Sequence, residues 1–235
     1  MLRKPRFIYF DIDDTLLDHR SAQRAALLEI HQEFPVLQAA SAADLSLVYA
    51  RHNQRLWQAY SLGQTDRHNL HRSRFADTFA ELGLHVSDPL EIGNAYMQAY
   101  RRYWRWIPGA EAALQSLSRH YRVGFITNGF SETQKKKIED FGLQAFSGPL
   151  IISEDVGYLK PSPEIFAYAE SQAGAEAADI LYVGDSLDSD IRGGNAAGWQ
   201  TAWFTPQAQP EPQVSCEASV SFQTFEELQH HLHFS

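Results

Sequence analysis

The chain has 235 residues, of which 44% are apolar, and its 14 glycines raise that share to about 50%, the ordinary globular value, so intrinsic disorder is excluded. Twenty Lys and Arg against 29 Asp and Glu give a formal net charge of -9, which argues against gripping a nucleic-acid polymer, where cations must neutralise phosphates. The lone Cys216 closes no intrachain disulfide, no apolar run of about 18 residues is present to span a bilayer, and MLRKPRFIYFDIDD meets its acids too early for a signal peptide. The expectation is a soluble cytoplasmic protein with no membrane partner.

In chain order, the first apolar run is Phe7 to Phe10, ending in Asp11-Ile12-Asp13-Asp14-Thr15. It is too short for a helix and reads as a strand buried on both faces. From residue 18 to residue 106 the period changes. Apolar residues recur at helical spacing over 20–33, 42–60, 68–82 and 89–105, with breaks at Pro35, Gly63, Gly83 and Pro89. The charge changes with it: this segment holds ten arginines, no lysine and nine acids, while the remainder nets -10. We read an all-helical insertion, 18–106, in a core formed by 1–17 and 107–235. Most of its arginines are expected on solvated faces and most of its aromatics (Trp57, Tyr60, Phe75, Tyr96, Tyr100, Tyr103, Trp104, Trp106) in its own core. Arg20, Arg24 and Arg67 are candidates to meet an anionic substrate.

After the insertion the short runs resume: Val123 to Ile126 before Thr127, Leu150 to Ile152 before Ser153, Ile180 to Val183 before Gly184-Asp185, and Thr201 to Phe204. Between them, helices are predicted over 110–119, over 131–141 with Ser131 as N-cap, and over 162–173. The proline-rich 205–218 reads as a loop and 224–232 as a closing helix. Strands alternating with helices predict an α/β fold, a doubly wound parallel sheet, whose strand ends share one ligand-binding edge.

Asp11 and Asp13, two residues apart at a strand terminus, face the same side. Crowding two carboxylates needs a reason. A hard divalent cation is one, and a division of labour between nucleophile and acid/base is another. Asp185, delivered to the same edge, completes an oxygen-rich Mg²⁺ site with that pair. Thr127 and Asn128 offer a hydroxyl and an amide just before a helix N-terminus, a setting suited to phosphate. Lys160, whose backbone is restricted by Pro161, supplies a cation able to neutralise both carboxylates and phosphoryl oxygens.

Asp11-x-Asp13-x-Thr15, Thr127-Asn128, Lys160-Pro161 and Gly184-Asp185-x-x-x-x-Asp190 resemble, in order and spacing, the four motifs of the haloacid dehalogenase-like (HAD) hydrolases. The helical insertion is similar to that superfamily's C1-type cap. The resemblance implies a Rossmann-like core, catalysis by Asp11 as nucleophile and Asp13 as acid/base, and phosphate binding by Thr127, Asn128 and Lys160. It also implies a Mg²⁺ cofactor held by the Asp11 carboxylate, the Asp13 backbone carbonyl and Asp185, with Asp190 in support. Asp14 and Asp188 are given no part.

Asp13 favours a phosphatase over a dehalogenase, which has no ester oxygen to protonate. The stretches ITNGF (126–130), ISEDVG (152–157) and KPSPEIF (160–166) resemble the pyrimidine 5'-nucleotidases and the N-acylneuraminate 9-phosphatases. The expected partner is a small phosphorylated metabolite, led by nucleoside 5'-monophosphates. Sugar phosphates or N-acylneuraminate 9-phosphate are the alternative, and a phosphomutase, a 2-haloacid dehalogenase or a silent phosphate-binding regulator come after them. Hinges are expected near 17–19 and 105–109.

Overall fold

The computed structural model describes residues 2–206 and 218–232. Cys216 and most of the loop expected over 205–218 lie outside them. The chain divides into two compact units, 1–18 with 106–235 and 19–105.

Among the described residues the first unit holds six parallel strands: β1 (Phe7–Phe10), β2 (Arg122–Thr127), β3 (Leu150–Ile152), β4 (Ile180–Gly184), β5 (Gln200–Phe204) and β6 (Val220–Phe222). Their order is β3-β2-β1-β4-β5-β6. β1 is central and wholly buried, as its unbroken run of aromatic and β-branched residues requires. Chain order reverses there, because β2 and β3 extend one side and β4 to β6 the other. Such a switch point opens a crevice at the carboxyl ends of the strands. Phe10 pairs with both Phe125 and Val183, so the residues that follow β1, β2 and β4 emerge side by side.

Two apolar layers hold the sheet. One contains Ile8, Phe10, Leu114, Leu117, Phe125 and Val183, and the other Tyr9, Ile126, Ile165, Phe166, Tyr182 and Trp199. Trp106, expected in the insertion, instead packs in the first layer with its ring 5.3 Å from that of Phe141. The β6 strand was not foreseen.

The second unit is helical: α1 (His19–Glu33), a short 3₁₀ turn (Pro35–Ala39), α2 (Ala42–Ser61), α3 (Arg67–Glu81) and α4 (Pro89–Arg102). Ser41, Asp66 and Asp88 cap α2, α3 and α4 through side chains that accept backbone N–H groups, and Pro89 occupies the first turn of α4. Its core contains Ala26, Leu27, Leu45, Tyr49, Phe75, Phe79, Tyr96 and Tyr100. Tyr103 is exposed, since α4 ends at Arg102 rather than running to 105.

The remaining helices belong to the first unit: α5 (Ala110–Leu117), α6 (Ser131–Asp140), α7 (Ser153–Val156), α8 (Pro163–Ala173), α9 (Gly193–Ala196) and α10 (Phe225–His231). Ser131 opens α6 as its first helical residue and not as its cap. The Glu154 carboxylate accepts its N–H at 2.6 Å, a long-range contact that replaces a local one. No helix among the described residues is long and apolar enough to cross a membrane.

Candidate active site

Three strand ends build the site. Asp11 follows β1 and is tied into the sheet by its N–H donating to Val183 O at 2.9 Å. Thr127 closes β2, and Asp185 follows β4. Lys160 reaches them from the loop before α8.

The centre is a buried lysine. Lys160 Nζ donates to Asp11 Oδ1 at 2.6 Å, to Asp190 Oδ1 at 2.8 Å and to the Tyr182 hydroxyl at 2.7 Å, with Ile126 O 3.1 Å away. Burial opposes its charge, but Asp11 and Asp190 outweigh it and hold the ammonium well above the ordinary lysine value. Burial pushes Asp11 up to about 7, with Lys160 pulling down and Asp190 and Asp13 pushing further up. Two acids thus share one base, and the second negative charge is disfavoured.

Asp190 sits in a wide π-helical turn, Leu187–Arg192. Its Oδ2 accepts the Ser186 N–H at 3.0 Å and its Oδ1 the Ser189 hydroxyl at 3.1 Å. Gly184 makes that turn possible. A Cβ there would lie 2.3 Å from Asp190 Oδ2. Asp188 points elsewhere, pairing with Arg192 at 2.7 Å on an exposed face.

Carboxylate oxygens of Asp11, Asp185 and Asp190 all lie within 4.8 Å of one another. An all-oxygen donor set suits a hard divalent cation, which would favour the ionised form of Asp11. Asp190 belongs to this group and also accepts from Lys160.

Among the described residues, Thr127 Oγ1 is buried with no hydrogen-bond partner, although a buried hydroxyl ordinarily has one. Asn128 contacts the main chain of Lys160. Its amide donates to Lys160 O at 2.9 Å and accepts the Lys160 N–H at 2.8 Å, so it fixes the lysine's main chain.

Asp13 is held from α6. Lys137 Nζ donates to Asp13 Oδ1 at 2.5 Å and Gln134 Nε2 to Oδ2 at 2.8 Å. Neither residue stood out in the sequence. The helical unit holds a second unforeseen group, Arg74, which is 6% exposed and lies 5.6 Å from the rings of both Phe75 and Tyr96.

A family model described as haloacid dehalogenase-like hydrolase matches residues 5–198. The chain belongs to the haloacid dehalogenase-like hydrolases. The HAD hydrolase YfnB of Bacillus subtilis is 32% identical, the match covering 97% of this chain and 96% of YfnB. Its magnesium-bound crystal structure superposes with a TM-score of 0.84 at 31% identity, covering 99% of this chain and all of that one. The pyrimidine 5'-nucleotidase YjjG of Escherichia coli is 33% identical across 88% of this chain and 89% of its own length. The human N-acylneuraminate-9-phosphatase is 26% identical across 86% and 84%.

Proposed function

We propose that the chain is a magnesium-dependent phosphomonoesterase that works through an aspartyl-phosphate on Asp11, with nucleoside 5'-monophosphates as its leading substrates. The observation that carries the reading is the convergence of Asp11, Lys160 and the buried Thr127 hydroxyl at one sheet edge, with the Asp13 carboxylate two residues from the nucleophile. The substrate class rests on the nucleotidase relative at 33% identity.

In the first step an Asp11 oxygen bonds to phosphorus as the phosphorus–ester oxygen bond breaks. The bonding pair leaves with the ester oxygen, which takes the Asp13 proton. In the second step the Asp13 carboxylate removes a proton from water, whose oxygen attacks phosphorus and returns Asp11 as a carboxylate. Lys160 and Thr127 hold the phosphoryl oxygens, and Asn128 and Asp190 keep Lys160 in place. The Asp11 carboxylate, the Asp13 carbonyl and Asp185 would hold Mg²⁺, which supplies positive charge against the phosphoryl group when bound.

The helical unit is proposed to act as a cap that sets substrate choice, with Arg20, Arg24 and Arg67 as candidate contacts. The test is phosphate release from a panel of nucleoside monophosphates, sugar phosphates and N-acylneuraminate 9-phosphate. Release that needs Mg²⁺, stops with EDTA and is lost in Asp11→Asn supports the reading. Release that survives EDTA or the substitution contradicts it. A preference for the sialic acid ester would move the assignment to the other related group.

A further inference from the structure

Helix α6 carries the sequence SETQKKKIED, with Ile138 as its one aliphatic residue, yet it packs against the core. The side chains it buries are Gln134, Lys137 and Ile138, which lie at i, i+3 and i+4 on one face. Three lysines stand in a row, and helical phase separates them. Lys135 pairs with Asp155, and Lys136 with Glu139 and Asp140, all at the surface. Lys137 is 1% exposed and meets Asp13.

Burying an ammonium is costly, and an apolar pair would serve stability at least as well, so such a pair calls for another explanation. The geometry offers one. Each Asp13 oxygen receives its own donor, Lys137 Nζ at 2.5 Å on Oδ1 and Gln134 Nε2 at 2.8 Å on Oδ2, from the same face of one helix. Two donors, one on each oxygen, fix the carboxylate plane. Gln134 is itself seated against Gly129, where an added Cβ would come within 2.5 Å of Nε2.

We propose that Lys137 and Gln134 are positioning residues that orient the Asp13 carboxyl toward the leaving-group oxygen of the ester. This rests on the phosphatase reading above. As the proton passes from Asp13 to the departing oxygen, the carboxylate left behind already has a donor on each oxygen. Orientation of the acid matters most when the leaving oxygen is strongly basic. It matters little for p-nitrophenolate, which departs with almost no help.

The experiment compares kcat/KM for p-nitrophenyl phosphate with that for the alkyl monoester turned over fastest in the panel. It uses the full chain carrying Lys137→Met, Gln134→Leu, Lys137→Arg or Asp13→Asn, with thermal melts to confirm folding. In Lys137→Met and Gln134→Leu kcat/KM for the alkyl ester should fall about 30-fold or more and kcat/KM for the aryl ester less than about 3-fold, since that ratio reports the step in which the leaving oxygen departs. Lys137→Arg should recover most of the loss. Equal losses on both esters, or no loss, would overturn the inference while leaving the phosphatase reading intact, provided Asp13→Asn still shows the leaving-group signature. If Asp13→Asn lacks that signature, the role given to Asp13 fails and the positioning role falls with it.

Discussion

Lys160 Nζ lies 2.6 Å from Asp11 Oδ1, two groups 149 residues apart in sequence and both almost wholly buried. The same ammonium reaches Asp190 at 2.8 Å. Lys160→Met should therefore act twice. Phosphate release should fall by about a thousandfold or more, because the phosphoryl group and nucleophile lose their shared cation. Urea denaturation should show a loss of about 3–5 kcal/mol, because two buried carboxylates are left facing each other. Lys160→Arg should not restore activity, since a planar guanidinium cannot direct hydrogens to Asp11, Asp190 and Tyr182 as the ammonium does. A variant that keeps wild-type turnover would contradict this.

Gly184→Ala should displace Asp190. The added methyl would stand 2.3 Å from Oδ2, inside any tolerable contact. The expected result is a destabilisation of about 1–3 kcal/mol with a loss of activity out of proportion to it, because Lys160 loses a partner. Melting curves beside kcat measurements separate the two effects.

Metal dependence should be visible without turnover. Magnesium titrated into the protein should raise its melting temperature, by an amount corresponding to about 2.7 kcal/mol at a hundred times Kd. Asp185→Asn and Asp11→Asn should weaken that response, while Asp188→Asn, whose carboxylate pairs with Arg192 at the surface, should leave it unchanged. A response retained in Asp185→Asn would remove that residue from the proposed metal site.

How much of this was legible in the sequence depended on whether the signal was local. The acids and Thr127 end short apolar strands, so their shared edge could be read from the order of elements alone. Lys137 and Gln134 could not. QKKKIED reads as an exposed basic helix, and only the phase of α6 relative to Asp13 selects the third lysine for burial. The Ser131 N-cap failed for a related reason, since Glu154, 23 residues on, takes the helix's leading N–H. Trp106 closes an aromatic run that looked continuous with the insertion, but its ring edge meets Phe141 in the core. For Asn128 the chemistry for phosphate is legible, but its tie to the main chain of Lys160, 32 residues on, is not.

The helical unit carries a pH prediction of its own. Burial lowers His71 from 6.5 to about 4, with Arg74, Arg67 and His68 adding to the effect. Arg74 Nη2 lies 3.0 Å from His71 Nδ1, a contact that suits a neutral imidazole accepting from a guanidinium. Above pH 6.5 the ring is neutral in both folded and unfolded chains. Below it the unfolded chain takes up a proton that the folded one refuses, so this contribution to stability is lost as pH falls toward 4. An NMR titration should find the His71 imidazole still neutral at pH 5. His71→Gln should lose less stability between pH 7 and pH 5 than the parent does.

The most direct measurement is chemical trapping of the covalent step. The enzyme, mixed with Mg²⁺ and its best substrate and quenched in acid, is treated with borohydride, which reduces an aspartyl-phosphate to homoserine, and its peptides are read by mass spectrometry. Homoserine at position 11, absent without substrate and absent from Asp11→Asn, is the predicted result. Turnover with Asp11 unmodified and the label on another residue would contradict the mechanism at its root.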